Sequence, residues 1–125
     1  MNDVSVLIVE DERISAMALE LILKQIGYTV SGRVDRCQDA VNHVKDHRPD
    51  VVLMDIRIKG NSDGIDAARE IRSFSDIPVI FITAHSDEET VDGVMEISQY
   101  SFLIKPVTKD EIQAAVEEAI VGRNK

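Results

Sequence analysis

Apolar positions recur along this chain in two alternating rhythms. Short runs such as "VSVLIV", "VVLM" and "PVIFI" are nearly continuous, whereas the longer segments between them space their apolar residues three and four apart. The runs predict strands at residues 4–9, 29–34, 50–55, 78–83 and 101–104. Those at 4–9, 50–55 and 78–82 are almost wholly apolar, as strands buried on both faces must be, while "TVSGRV" and "YSFLIK" are diluted by polar residues. Three strands therefore belong in the middle of a sheet and two at its edges.

The spaced segments predict helices. Ile14, Met17, Ala18, Leu21 and Ile22 share one helical face that stops at Gly27. Cys37, Ala40, Val41 and Val44 repeat at the same spacing, which makes Cys37 a packed core thiol rather than a reactive one. A weaker stripe of Val91, Val94, Met95 and Ile97 surrounds Gly93, and a clear one runs through Ile112, Ala115, Val116, Ala119 and Ile120. Ser86 with Glu89, and Thr108 with Glu111, match the capping box that satisfies two orphan amides at a helix start. Five strands alternating with five helices predict an α/β domain: a doubly wound parallel sheet of order 2-1-3-4-5, with right-handed crossovers.

Composition narrows the function. At 125 residues the chain fits one compact domain spanning 1–125. Its 14 basic and 23 acidic residues leave a net charge of -9, which repels nucleic-acid phosphates and anionic lipid, so no direct nucleic-acid contact is expected. One cysteine, no basic-flanked apolar leader and no run long enough to cross a bilayer predict a reduced, cytoplasmic protein without membrane insertion.

The central strands end in acid. "LIV" runs straight into Glu10, Asp11 and Glu12, and "VVLM" into Asp55. In a 2-1-3-4-5 sheet the ligand crevice lies beyond the carboxyl ends of the first and third strands, where these carboxylates meet. Like charges about 4 Å apart cost roughly 4 kcal/mol per pair at an effective dielectric near 20, so a proton, a lysine or a hard divalent cation must neutralise them. Oxygen-only ligation suits Mg²⁺. Lys105, which follows the last strand, and Thr83, which ends the fourth, leave the sheet at the same rim.

With that constellation, the chain resembles, over essentially its whole length, the receiver domain of two-component response regulators, whose fold is flavodoxin-like. The resemblance puts the acid pair on Glu10 and Asp11, the phosphoacceptor on Asp55, the switch hydroxyl on Thr83 and the lysine on Lys105. It matches the usually cis Lys-Pro peptide to Lys105-Pro106 and the switch aromatic to Phe102. It further implies that Asp55 attacks the phosphohistidine of a histidine kinase or phosphotransfer protein, with Mg²⁺ held by Asp11, Asp55 and the Arg57 carbonyl and reached by Glu10 through water. Lys105 then pairs with one phosphoryl oxygen, Thr83 bonds another, and Phe102 turns inward. The face formed by the fourth and fifth helices and the fifth strand would carry the signal to a target or an output domain, or to a second copy as a homodimer. Arg57, Ala84 and His85 are the positions expected to tune the lifetime of the acyl phosphate. Such a protein is a regulated switch, with self-catalysed phosphotransfer and dephosphorylation only.

Three features depart from the family pattern or compete with it. Glu10 stands where many relatives have Asp, Lys59 stands where a proline commonly follows the phosphoacceptor, and the loop to Gly64 is about one residue longer. A haloacid-dehalogenase-like phosphatase would need a second Asp where Arg57 stands, and a nucleotide or flavin site would need a glycine-rich loop where "VEDER" offers acids. The remaining alternative is a receiver-like interaction module that works without phosphorylation. Nothing about the repulsive acid cluster would be needed in that case. His43 and His47, four apart among charged residues, read as a solvated helix face.

Overall fold

The computed structural model describes residues 4–56, 64–83 and 101–123. β1 (Ser5–Val9), β2 (Thr29–Val34), β3 (Val51–Asp55), β4 (Val79–Thr83) and β5 (Ser101–Ile104) form one parallel sheet of order β2-β1-β3-β4-β5. The apolar strands β1, β3 and β4 occupy the interior and the diluted ones its two edges, as the strand compositions require. Among the described residues the helices are α1 (Arg13–Ile26), α2 (Cys37–His47), α3 (Gly64–Arg72) and α4 (Lys109–Arg123). The expected count of five helices is thus corrected to four among the described residues. The stripe around Gly93 and the Ser86/Glu89 capping box lie outside the described residues.

Side chains on a strand alternate between faces, and the sheet divides its core accordingly. Leu7, Val9, Val52, Met54 and Phe81 point to one side, where they pack with Ala40, Val41 and Val44 of α2 and Ala67, Ala68 and Ile71 of α3. Val6, Ile8, Val51, Leu53, Ile80 and Ile82 point to the other, against Ala16, Leu19 and Leu23 of α1 and Ile112 and Val116 of α4. Cys37 is buried in the first of these layers.

The α1 layer overturns one expectation. Its core face is Ala16, Leu19 and Leu23, whereas Ile14, Met17 and Leu21 are 77%, 51% and 60% exposed. This helix has two apolar stripes, and periodicity alone does not distinguish them. Its stop is as expected: Gly27 takes φ 107, a left-handed conformation that glycine adopts without a Cβ clash, and donates its N–H to the carbonyls of Leu23 and Lys24. At the start of α4, Thr108 Oγ1 accepts the Glu111 N–H at 3.2 Å while Glu111 Oε1 accepts the Thr108 N–H at 2.9 Å, completing the capping box.

β2 carries a feature absent from the strand pattern. Its register against β1 jumps from Val6↔Val30 to Leu7↔Gly32, which leaves Ser31 as an extra residue in a bulge. The Ser31 hydroxyl lies 2.7 Å from His43 Nε2, and the His43 ring covers Gly32 and stacks on His47 at 4.2 Å. His43 is therefore half-buried against the edge strand; only His47 is on the solvated face. Beyond the bulge the strands stay in phase, and Val34 accepts the N–H of Glu10 at 3.0 Å.

Candidate functional site

Parallel register delivers the functional residues to one rim. Val9 is opposite Met54, Asp55 opposite Ile82, and Thr83 opposite Ile104, so Glu10, Asp55, Thr83 and Lys105 all emerge at the carboxyl end of the sheet. Three carboxylates meet there. Glu10, Asp11 and Asp55 each offer an oxygen, and these atoms lie within 4.8 Å of one another. Ligands around a Mg²⁺ at about 2.1 Å are at most about 4.2 Å apart, a span comparable to that of this oxygen-only set. The donor chemistry and the spacing both fit a hard divalent ion.

Lysine supplies part of the compensation that the repulsive cluster demands. Lys105 Nζ is 3.0 Å from Glu10 Oε1 and 3.4 Å from Asp55 Oδ2, bridging the end of the edge strand to the two central ones. The Lys105–Pro106 peptide that follows is cis. Glu10 is 4% exposed, the one buried charged residue among those described, and also accepts the Glu12 N–H at 3.2 Å. Burial, reinforced by its contact with Asp55, pushes the Glu10 carboxyl up to about 7 against the opposing pull of Lys105. Burial alone would lower the Lys105 ammonium, but its hydrogen bond to Glu10 and the negative charge of Asp55 outweigh that and hold it above the ordinary lysine value.

Asp11 is half-buried and opens onto a groove of about 360 Å³, lined also by Arg13, Arg33 and Asp35. Asp55 is the last residue of β3, with its side chain 14% exposed. Thr83 is the last residue of β4. Phe102 is half-buried in β5 and packs against the α2/α3 layer of the core. Arg57, Ala84 and His85 lie outside the described residues. The arrangement thus combines three clustered carboxyl groups able to hold a cation with an ammonium that bridges two of them, a setting suited to neutralising a phosphoryl group. The burial of Glu10 was not visible in its sequence context, where it is one of three consecutive acids.

Residues 6–117 match the response regulator receiver domain family. The transcriptional regulatory protein PdtaR of Mycobacterium tuberculosis is 36% identical over 115 residues, which cover 92% of this chain and 56% of the relative. The chain therefore spans about half the length of the curated relatives it matches. The signal receiver domain of a modulated diguanylate cyclase from Desulfovibrio desulfuricans G20 superposes with a TM-score of 0.91 at 36% identity, covering 98% of each chain. The receiver domain of the PhyR response regulator from Erythrobacter litoralis does so with a TM-score of 0.86 at 30% identity, covering 100% of this chain and 95% of that one. Among the described residues no helix is long and apolar enough to cross a membrane.

Proposed function

The chain belongs to the response regulator receiver domain family, and we propose that Asp55 is its phosphoacceptor, taking the phosphoryl group of a phosphohistidine from a histidine kinase or phosphotransfer protein. The observation that carries this is the convergence of Glu10, Asp11 and Asp55 within 4.8 Å, with Lys105 bridging two of them.

In the transfer an Asp55 carboxylate oxygen attacks phosphorus, the new O–P bond forms as the N–P bond of the donor breaks, and the released imidazole regains a proton from solvent. Phosphoryl transfer of this kind is governed by positioning and charge neutralisation more than by covalent help from the protein. Mg²⁺, when bound, supplies positive charge to the phosphoryl oxygens; Asp11, Asp55 and the Arg57 carbonyl are the groups that would hold it, with Glu10 reaching it through water. Lys105 is already extended toward Asp55 and can pass from the carboxylates to a phosphoryl oxygen by a short movement. Thr83 would give its hydroxyl to another oxygen. Phe102 is the aromatic expected to respond, and through it the surface of β5 and α4 would change for a target, an output domain or a second copy. Arg57, Ala84 and His85 would tune hydrolysis of the acyl phosphate.

The test is intact mass after incubation with acetyl phosphate, with Mg²⁺ or with a chelator, on the wild type and on Asp55→Asn. One added phosphoryl group that requires Mg²⁺ and is absent from the variant is the expected result. Equal addition to Asp55→Asn would overturn the assignment of Asp55.

A further inference from the structure

Phosphoryl transfer in line with Asp55 requires its carboxylate to be held to within a fraction of an ångström, yet Asp55 is the last residue of its strand and is followed by the long connection to α3. What holds the strand end is visible where that connection returns. Gly64, the first residue of α3, is buried and donates its N–H to the carbonyl of Ile56 at 2.6 Å, closing the connection at its base. The approach is so close that a Cβ on Gly64 would clash with the Asp55 carbonyl oxygen, with Ile56 Cα at 3.0 Å and Met54 Cγ at 3.1 Å. The Met54 side chain could give way. The peptide carbonyl of Asp55 could do so only by moving the backbone that carries the carboxylate.

We propose that Gly64 is a positioning residue for the phosphoacceptor: its missing side chain lets the start of α3 seat against the Asp55–Ile56 backbone, and this contact sets where the Asp55 carboxylate stands relative to Glu10, Asp11 and Lys105. The role rests on Asp55 being the acceptor. Gly64 touches neither a phosphoryl group nor a cation; it acts through the backbone of Asp55. Helix α3 is otherwise fixed by Ile65, Ala67, Ala68 and Ile71 in the core, so an added methyl group must be accommodated largely by displacement of the strand end.

The test compares Gly64→Ala with Ile71→Val, which loosens the same helix two turns away without adding an atom near Asp55. Both are assayed with the wild type at a temperature where each is folded, by Mg²⁺ titration followed through backbone amide NMR and by phosphorylation with acetyl phosphate. Gly64→Ala is expected to require at least tenfold more Mg²⁺ for half-saturation and to be phosphorylated 10- to 100-fold more slowly, while Ile71→Val stays within twofold of wild type on both. Wild-type Mg²⁺ dependence and rate in folded Gly64→Ala would overturn the proposal. If that variant is unfolded in buffer, the comparison is repeated with trimethylamine N-oxide, which favours the compact state. Failure to fold even there, with Ile71→Val folded, would make the glycine a requirement of the fold alone and also overturn it. Absence of phosphorylation in the wild type would count instead against Asp55 as acceptor, and the Mg²⁺ titration would still read the effect of Gly64.

Discussion

Glu10 illustrates how much a single position depends on its surroundings. In the sequence it is the first of three consecutive acids, but in the fold it alone among the described charged residues is buried, wedged between Lys105 and Asp55. Its pKa is raised above the ordinary carboxylate value, chiefly by burial, so in the metal-free protein the folded state binds this proton more tightly than the unfolded chain does. The stabilisation it contributes is fully present below the ordinary carboxylate pKa and is lost as pH rises through about 7. A cation that binds the ionised carboxylate acts in the opposite sense, since it must displace the proton where one is held. Mg²⁺ should accordingly raise the melting temperature more at pH 8 than at pH 5.5. Thermal melts with Mg²⁺ and with a chelator at the two pH values check this, and an equal shift at both would contradict the role given to Glu10. The identity of the carboxylates, Lys105 and the shared rim was legible before the fold, because strand-end position follows from the apolar runs. Which acid would be buried was not, since that depends on where an edge-strand lysine reaches across the sheet. Nor was the seat of Gly64, which is a property of backbone approach rather than of side-chain pattern.

At the scale of elements, the boundaries that were legible are those with a local chemical cause. Gly27 ends α1 through its left-handed φ, and Thr108 with Glu111 opens α4 through reciprocal hydrogen bonds. The face of α1 was misread because Ile14, Met17 and Leu21 have the same spacing as a core stripe, while the true core face, Ala16, Leu19 and Leu23, is set by what β1, β3 and α4 present to it. The two leucines separate these readings. Leu23→Ala should cost roughly 2–5 kcal/mol, whereas Leu21→Ala should stay within about 0.5 kcal/mol of wild type. Urea denaturation measures both, and a comparable loss at Leu21 would place that residue in the core. The bulge at Ser31 was illegible for a different reason. It arises from pairing between β1 and β2 and from the His43 ring lying over Gly32, neither of which leaves a periodic trace.

For the molecule as a whole, the sheet order was the most readable property, since the composition of each strand fixes whether it can be central or peripheral. That order then dictates the site, because a 2-1-3-4-5 sheet must bring the ends of β1 and β3 together. The acid crevice on the rim and the β5/α4 surface are joined through one edge strand: Phe102 lies within β5, and Lys105 follows its end. Under the proposed role of Asp55, a charge added there would act on an element that also contributes to the outer surface, as a switch requires. In the proposed reaction this charge arrives on Asp55 and on no other carboxylate of the cluster. Reduction of the phosphorylated protein with borohydride converts an aspartyl phosphate to homoserine, and peptide mass spectrometry then identifies the residue changed. Conversion confined to position 55, dependent on Mg²⁺ during phosphorylation, is the result expected; conversion at Asp11 or Glu10, or at none of the three in protein that has gained a phosphoryl group, would contradict it.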